Sequence, residues 1–170
     1  VAVQYVNNET GVIQPMTAIA ASVRAAGGVL LADCAQSAGK LALPDADLIA
    51  LSAHKFGGPK GVGVLVARVR ARFEPLLIGG GQERERRSGT QNVAGIVAMA
   101  EALRLADHER ETERVRLTAL RDRLVDGIAG RLDGVMETVP REHKVAGSAH
   151  LCLQGVENEA LLFLLDEAGV

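Results

Sequence analysis

The sequence has little cysteine, no long apolar run and a small net charge, and each of these absences excludes a class of protein. Its 170 residues include two cysteines, Cys34 and Cys152, which are too few for a disulfide scaffold. No apolar stretch is long enough to cross a bilayer, and no basic segment followed by an apolar one opens the chain. We therefore expect a cytoplasmic protein with no membrane contact and no signal peptide.

Charge and composition give no sign of nucleic-acid binding, disorder or metal binding. The 19 Lys and Arg residues nearly balance the 21 Asp and Glu residues, so nothing points to nucleic acid as a partner. Hydrophobic residues make up 48% of the chain, which predicts a globular protein and excludes a disordered one. Because no C-x-x-C or H-x-x-x-H spacing occurs, we expect no metal site and predict that both cysteines are small buried hydrophobic residues.

The order of apolar segments predicts an α/β protein. Apolar residues spaced i, i+3, i+4 and i+7 after Pro15 predict a helix. Continuous apolar strands are typical of a mostly parallel sheet with helices on both faces. Strands of this kind are predicted at residues 1–6, 29–32, 48–51 and 62–67. The chain begins inside a predicted strand and lacks an initiating Met, so we interpret it as an internal piece of a longer protein.

The second half of the chain predicts a long helix and a small α+β unit. A long helix capped by Asn92 is predicted to reach about Leu132, and the charges at 107–116 indicate a solvated face with pairs spaced i,i+4. Two further strands and a helix at 158–168 indicate a small α+β unit. The predicted division is therefore residues 1–91 in a large domain, 92–132 in a connecting helix region and 133–170 in the beginning of a small C-terminal domain.

Polar residues follow the apolar strands, where an open α/β sheet binds its ligands. Lysine is scarce beside arginine, and a lysine, unlike an arginine, can lose its proton and act as an amine nucleophile. Lys55 is therefore a candidate Schiff-base lysine, with a surface loop lysine as the alternative. Asp33 closes an apolar strand, where it could pair with a pyridinium nitrogen or cap the following turn.

Ser52 and His54 lie two residues apart, so both could donate to one phosphate, although His54 could also be an ordinary loop histidine. The glycine-rich turn at residues 57–61 lacks the spacing of a dinucleotide fingerprint or a P-loop and indicates only a tight turn.

Five stretches of the sequence resemble the pyridoxal-phosphate enzymes of aminotransferase class V (fold-type I). Within that class they are similar to the NifS-like cysteine desulfurases, which supply sulfur for iron–sulfur clusters. The stretches are Val6-Asn7-Asn8-Glu9-Thr10-Gly11, Ala32-Asp33-Cys34-Ala35-Gln36-Ser37-Ala38-Gly39-Lys40, Ser52-Ala53-His54-Lys55-Phe56-Gly57-Gly58-Pro59-Lys60-Gly61, Gly79-Gly80-Gly81-Gln82-Glu83-Arg84 and Arg87-Ser88-Gly89-Thr90. The resemblance implies that residues 1–91 are the C-terminal part of the large domain that binds pyridoxal 5'-phosphate.

The resemblance also implies a role for each residue of the candidate site. Lys55 would bind the cofactor aldehyde and move the substrate α-proton in a buried site that favours the neutral amine, and Asp33 would pair with the pyridinium nitrogen. The remaining residues would contact other parts of the cofactor: Asn8 and Gln36 the ring 3-oxygen, Ser52 and His54 the phosphate, and Thr90 the phosphate in a partner subunit, which implies a homodimer.

The activity implied is conversion of L-cysteine to L-alanine, with sulfur passed as a persulfide to an acceptor or scaffold protein of cluster assembly. The resemblance places the nucleophilic cysteine beyond the helix at 158–168, so Cys152 is not that residue. Part of the site is also expected from a preceding N-terminal segment, and the chain as given is expected to be inactive. The alternatives are another class V enzyme, such as a selenocysteine lyase or a small-substrate aminotransferase, and a non-catalytic dimerisation or docking fragment.

Overall fold

A computed structural model describes residues 1–69 and 71–170 and shows an α/β arrangement built on a four-stranded sheet. The strands lie in the order β1 (Ala2–Gln4), β2 (Leu31–Asp33), β3 (Leu48–Ser52) and β4 (Gly63–Ala67). The first three strands are parallel, with Gln4 opposite Asp33 and Asp33 opposite Ala50. The mostly parallel sheet predicted from the apolar runs is therefore confirmed.

The last strand of this sheet differs from the prediction. β4 runs antiparallel to β3 at the edge of the sheet, and its side chains on both faces are exposed. The expectation that every strand is covered on both faces is therefore wrong for β4. A continuous apolar run does not reveal whether a strand is central or at an edge, because that depends on its neighbours.

The helix predicted after Pro15 is α1 (Met16–Ala25), which buries Met16, Ala20 and Val23 against the sheet. Every third or fourth residue of α1 faces inward, which is the spacing that predicted it. The other side chains of this core come from the strands, the turns that follow them and the next helix: Leu30, Ala32, Cys34, Ala38, Ala46, Ile49, Leu51, Ala53 and Met99.

The long helix is α2 (Val93–Ala129), which ends a few residues before Leu132. The Asn92 side chain accepts a hydrogen bond from the Gly95 N–H at 3.0 Å, so the predicted N-cap is confirmed. Its charged face is solvated as expected, but the ion pairs follow an i,i+3 spacing, as in Arg114 with Glu111 and Arg116 with Glu113. The prediction of i,i+4 pairs is wrong in that detail.

Two short antiparallel strands, β5 (Val135–Glu137) and β6 (Leu151–Leu153), precede the third helix, α3 (Asn158–Glu167). Cys34 is buried as predicted, whereas Cys152 is exposed on β6, and the prediction of a buried Cys152 is wrong. The reason is that the sheet of β5 and β6 has only two strands, so one of its faces meets solvent.

The loop after β1 joins the sheet to this small unit. The Ile13 N–H donates to the His143 carbonyl at 2.9 Å, and the Val145 N–H donates to the Gly11 carbonyl at 3.0 Å. The Ser148 hydroxyl donates to the Thr10 carbonyl at 3.1 Å. Two backbone hydrogen bonds and one from a side-chain hydroxyl therefore hold the small unit against the carboxyl edge of the sheet.

Candidate active site

The candidate site lies where β2 and β3 end side by side. The Cys34 N–H donates to the Ala50 carbonyl at 2.9 Å, which continues the pairing with β3 one residue beyond the end of β2. Asp33 ends β2, and a short 3₁₀ helix (Ala53–Phe56) that carries His54 and Lys55 follows Ser52 at the end of β3. Because parallel strands end at the same sheet edge, a carboxylate and an amine are placed on neighbouring segments.

Asp33 caps the turn that follows it. One carboxylate oxygen, Oδ1, accepts the Ala35 N–H at 2.9 Å, and the side chain is half-buried. Turn capping, one of the two sequence-based alternatives for Asp33, is therefore observed. Because it occupies one oxygen, Oδ2 is left for a further donor, such as a protonated ring nitrogen.

Ser52 and His54 contact each other, with 3.1 Å between the hydroxyl oxygen and Nδ1. The imidazole and the hydroxyl therefore lie side by side, where both could donate to one anion. Lys55 is exposed, contrary to the burial expected from the resemblance. The physical reason is that the 3₁₀ helix lies at the end of the sheet, with its basic side chains turned to solvent.

A second lysine, Lys40, belongs to the same edge. Gly39 has φ +74, and a Cβ built on it would lie 2.8 Å from the Ala106 Cβ and 3.4 Å from the Phe56 Cβ. The turn after β2 is therefore in direct contact with both α2 and the segment that carries Lys55. Burial, together with the positive charge of Lys55, lowers the pKa of the Lys40 amine.

A cavity adjoins this edge. It has a volume of about 840 Å³ and lies between the loop after β1, the turn after β2, the middle of α2 and residues 141–148. Asn8 and Gln36 line it, whereas the other predicted site residues do not: Asp33, Ser52, His54, Lys55 and Thr90. The structure thus divides the predicted site between a cavity wall and an exposed sheet edge.

Thr90 is exposed and lies just before α2, in a glycine-rich loop in which the Gly89 N–H donates to Gln82 Oε1 at 3.1 Å.

Cys34, the residue that follows Asp33 in the sequence, is buried. Burial raises the pKa of its thiol, a hydrogen bond with Ser37 acts in the opposite direction, and the Asp33 charge adds to the increase. Cys34 is therefore poorly suited to act as a thiolate.

The residues at the sheet edge fit pyridoxal phosphate by their chemistry. They offer an amine for its aldehyde, a carboxylate oxygen for its ring nitrogen, and a hydroxyl and an imidazole for its phosphate.

A group of three or more side chains suited to hold a metal ion is not found in residues 1–69 and 71–170. Within the same residues, no helix is long and apolar enough to span a membrane.

The fold is that of an α/β protein. The ends of its parallel strands carry an amine, a carboxylate, and two side chains that can donate hydrogen bonds to a phosphate. The chain belongs to the aminotransferase class V family, whose profile, described as Aminotransferase class-V, matches residues 1–170. This family's fold and its dependence on pyridoxal phosphate agree with the architecture and with the donor set.

Several relatives that match this chain are cysteine desulfurases. Cysteine desulfurase IscS of Tolumonas auensis is 45% identical over 176 residues, which cover 100% of this chain and 43% of that protein. Cysteine desulfurase IscS of Anaeromyxobacter dehalogenans is 44% identical over 176 residues, with 100% and 44% covered. A solved structure of a NifS-like protein matches with a TM-score of 0.92 and 34% identity, over 99% of this chain and 47% of that one. The chain therefore spans less than half the length of these relatives.

Sequence reasoning missed the cavity and the place of Lys40 in its wall. The available signal was that Lys40, one of only four lysines, follows the same strand as Asp33. It also missed that Lys144 is buried, with its ammonium bonded to Glu137. A spacing of seven residues across an irregular segment gives no periodic signal for such a pair.

Proposed function

We propose that this chain is part of a pyridoxal-phosphate-dependent cysteine desulfurase, which converts L-cysteine to L-alanine and passes the sulfur on as a persulfide. Membership of aminotransferase class V and the similarity to cysteine desulfurases support the proposal. The observation that carries it is the placement of Asp33 and Lys55 after adjacent parallel strands, because this brings a carboxylate and an amine to one sheet edge.

The chemistry supplied by bound pyridoxal phosphate is an electron sink that stabilises negative charge at the substrate α-carbon. Asp33 would hold a proton on the ring nitrogen through its Oδ2 atom, while Oδ1 stays bonded to the Ala35 N–H. The Ser52 hydroxyl and the His54 imidazole would donate to the phosphate. Lys55 would hold the aldehyde carbon and later carry the proton to and from the substrate α-carbon.

Asn8 and Gln36 would contact the ring 3-oxygen from the cavity side. Both line the cavity of about 840 Å³, which has room for an amino acid the size of L-cysteine. We place L-cysteine in this cavity because it is the concave space beside the sheet edge, where open α/β sheets take their ligands.

The thiol that accepts sulfur would lie elsewhere in the complete protein. Cys34 is fully buried, with a raised pKa, and Cys152 lies in a strand of the small unit.

Thr90, which is exposed just before α2, would reach the phosphate bound by a second copy of the protein and so require a homodimer. The sulfur acceptor would be a scaffold or carrier protein of cluster assembly, and the assigned compartment is the cytoplasm.

The domain division proposed for the complete protein follows the predicted one. Residues 1–91 would belong to the cofactor-binding large domain, 92–132 to the connecting helix region and 133–170 to the beginning of the small domain.

The first test is covalent capture of the cofactor by the chain. The protein is incubated with pyridoxal phosphate and reduced with borohydride, and the phosphopyridoxyl group is located by peptide mass spectrometry. We expect the label on Lys55 and its loss in Lys55→Met. Lys60→Met is the matched control, because Lys60 is an exposed lysine in the adjacent turn and its removal should leave the label unchanged.

The proposal fails if Lys55→Met carries as much label as the unchanged chain. In a protein as long as the IscS relatives, Lys55→Ala should abolish release of alanine from L-cysteine. Alanine release at the unchanged rate would contradict the role given to Lys55.

A further inference from the structure

The turn that carries Asn8 is closed by the side chain of the residue before it. Asn7 Oδ1 accepts hydrogen bonds from the Glu9 N–H at 3.0 Å, from the Thr10 N–H at 2.9 Å and from the Thr10 hydroxyl at 3.0 Å. An asparagine oxygen that bonds backbone groups further along the chain is a common way of fixing a turn. The three bonds join the residues on either side of Asn8 and so fix its backbone.

The backbone of Asn7 is anchored as well. Its N–H donates to the Val12 carbonyl at 2.9 Å, and its carbonyl accepts the Gly11 N–H at 3.0 Å. Asn7 is half-buried in the cavity wall, whereas Asn8 is exposed. Because burial does not restrain Asn8, its position depends on how firmly Asn7 holds the turn.

The far end of the turn rests against the small unit. The Ser148 hydroxyl donates to the Thr10 carbonyl at 3.1 Å. Gly11 has φ +76, and a Cβ built on it would lie 2.3 Å from the Ser148 Cβ, so the two segments are in close contact. Contacts with the small unit therefore hold one end of the turn, and the bonds to Asn7 Oδ1 hold the part that carries Asn8.

A further contact orients the Asn8 side chain. Gln4 Nε2 donates to Asn8 Oδ1 in a long hydrogen bond of 3.5 Å, from a strand position opposite Asp33. Because a donor faces the oxygen of the Asn8 amide, its Nδ2 end can donate to a ligand. A donor is the group that an anionic ring oxygen of a cofactor requires.

We propose that Asn7 is a positioning residue of the cofactor site, which acts through Asn8. The turn that Asn7 Oδ1 closes holds the Asn8 amide ready to donate to the ring 3-oxygen of pyridoxal phosphate before the cofactor binds. Such preorganisation reduces the conformational entropy that binding costs. The inference rests on the proposed function, in which Asn8 contacts that oxygen.

Amide hydrogen exchange in the chain without cofactor, followed by NMR, tests whether Asn7 holds the turn. Asn7→Ala removes the acceptor, so the Glu9 and Thr10 N–H groups should exchange about five- to thirtyfold faster, the factor that matches the loss of one or two hydrogen bonds. Asn7→Asp keeps an oxygen at the same place and should keep the exchange slow. Unchanged exchange in Asn7→Ala, or equally fast exchange in Asn7→Asp, would overturn the proposal.

Circular dichroism verifies that the variants keep the fold. Asn7→Ser, whose hydroxyl makes the same kind of turn more weakly, replaces Asn7→Ala should that variant unfold. A smaller acceleration at Glu9 and Thr10 is then expected, and unchanged exchange again counts against the role of Asn7.

The pH titration of bound pyridoxal phosphate in the complete protein, followed by absorption, tests the action through Asn8. A donor to the ring 3-oxygen favours its deprotonated form, so loss of the donor raises the pH midpoint. We expect Asn8→Ala to raise it by about one to two pH units and Asn7→Ala by about half a unit or more. The double variant should shift no further than Asn8→Ala alone, because both residues act on one hydrogen bond.

Glu157→Ala is the matched control for this titration. The Glu157 carboxylate also accepts the N–H groups two and three residues further on, from Glu159 at 3.3 Å and from Ala160 at 2.7 Å, at the start of α3. Its loss removes the same kind of contact from the small unit and should leave the midpoint unchanged.

The outcomes separate this inference from the proposed function. If Asn8→Ala shifts the midpoint and Asn7→Ala does not, the role of Asn7 is wrong and that of Asn8 stands. If neither variant shifts it, the cofactor contact assigned to Asn8 fails, and the inference fails with it. A further shift in the double variant, or an equal shift in Glu157→Ala, would show that Asn7 does not act through Asn8.

Discussion

At the scale of single residues, one glycine fixes the geometry of the candidate site. Gly39 combines a positive φ with close contacts to α2 and the Lys55 segment, whereas Gly61 has nearly the same φ, +76, and open space around its missing Cβ. An added methyl group is strained at both positions, but only at Gly39 must packed neighbours move. The two glycines therefore separate backbone strain from steric exclusion.

We expect Gly39→Ala to lower the free energy of unfolding by about 1–3 kcal/mol more than Gly61→Ala does. Urea unfolding followed by circular dichroism measures both variants. Equal destabilisation by the two variants would show that the contact with Ala106 is easily relieved.

At the scale of elements, an ionic cluster around the buried Lys144 ties α2 to β5 and the segment after it. Arg141 contacts Asp122 and Asp126 on α2 and Glu137 on β5, and Lys144, whose side chain is fully buried, bonds Glu137. A buried ammonium without its carboxylate is costly, whereas the solvated pairs along α2 contribute little. The cluster, and not the many surface pairs, should therefore control docking of the small unit.

Glu137→Gln should lower the free energy of unfolding by about 3 kcal/mol, and the exposed control Glu113→Gln by less than about 1 kcal/mol.

The stability that Glu137 contributes should also depend on pH. Burial raises the pKa of Glu137, but hydrogen bonds from Lys144 and Arg141 outweigh this effect and bring the pKa below its ordinary 4.5. The stabilisation is thus complete above about pH 4.5 and is lost as the pH falls through the lowered pKa. Thermal unfolding should show a weaker acid dependence in Glu137→Gln, and identical pH profiles would refute the assignment.

At the scale of the whole molecule, the exposed edge strand should govern solution behaviour. Val64, Leu65 and Val66 of β4 are 41%, 44% and 43% exposed, so an apolar strand with unpaired backbone groups faces solvent on both sides. Such an edge promotes association with another strand.

We expect the chain to self-associate with rising concentration and Leu65→Lys to reduce this association, as measured by sedimentation velocity. Val115→Lys is the control, because Val115 is an exposed valine that belongs to α2 and not to β4. A chain that stays monomeric at all concentrations, or equal effects of both variants, would assign no role to β4.

Local patterns predicted α1, the Asn92 cap and the position of Asp33, because periodicity, capping and strand ends are encoded within a few residues. The exposure of Cys152 and the edge position of β4 depend on which elements pack together, and no local pattern contains that information. The same holds for the cavity, whose wall is formed by four segments that are far apart in the chain. The domain boundaries stay a prediction.

The contact between Ser148 and Thr10 spans 138 positions of the chain. On a ribosome that adds about 5–20 residues per second, the loop after β1 waits roughly 7–28 s before its partner emerges. The sheet, whose pairings are nearer in sequence, has time to form first, while the loop still lacks its backbone partners. Synthesis speed over the codons between Thr10 and Ser148 therefore sets how long this nascent chain stays vulnerable to proteases and to pairing with other chains.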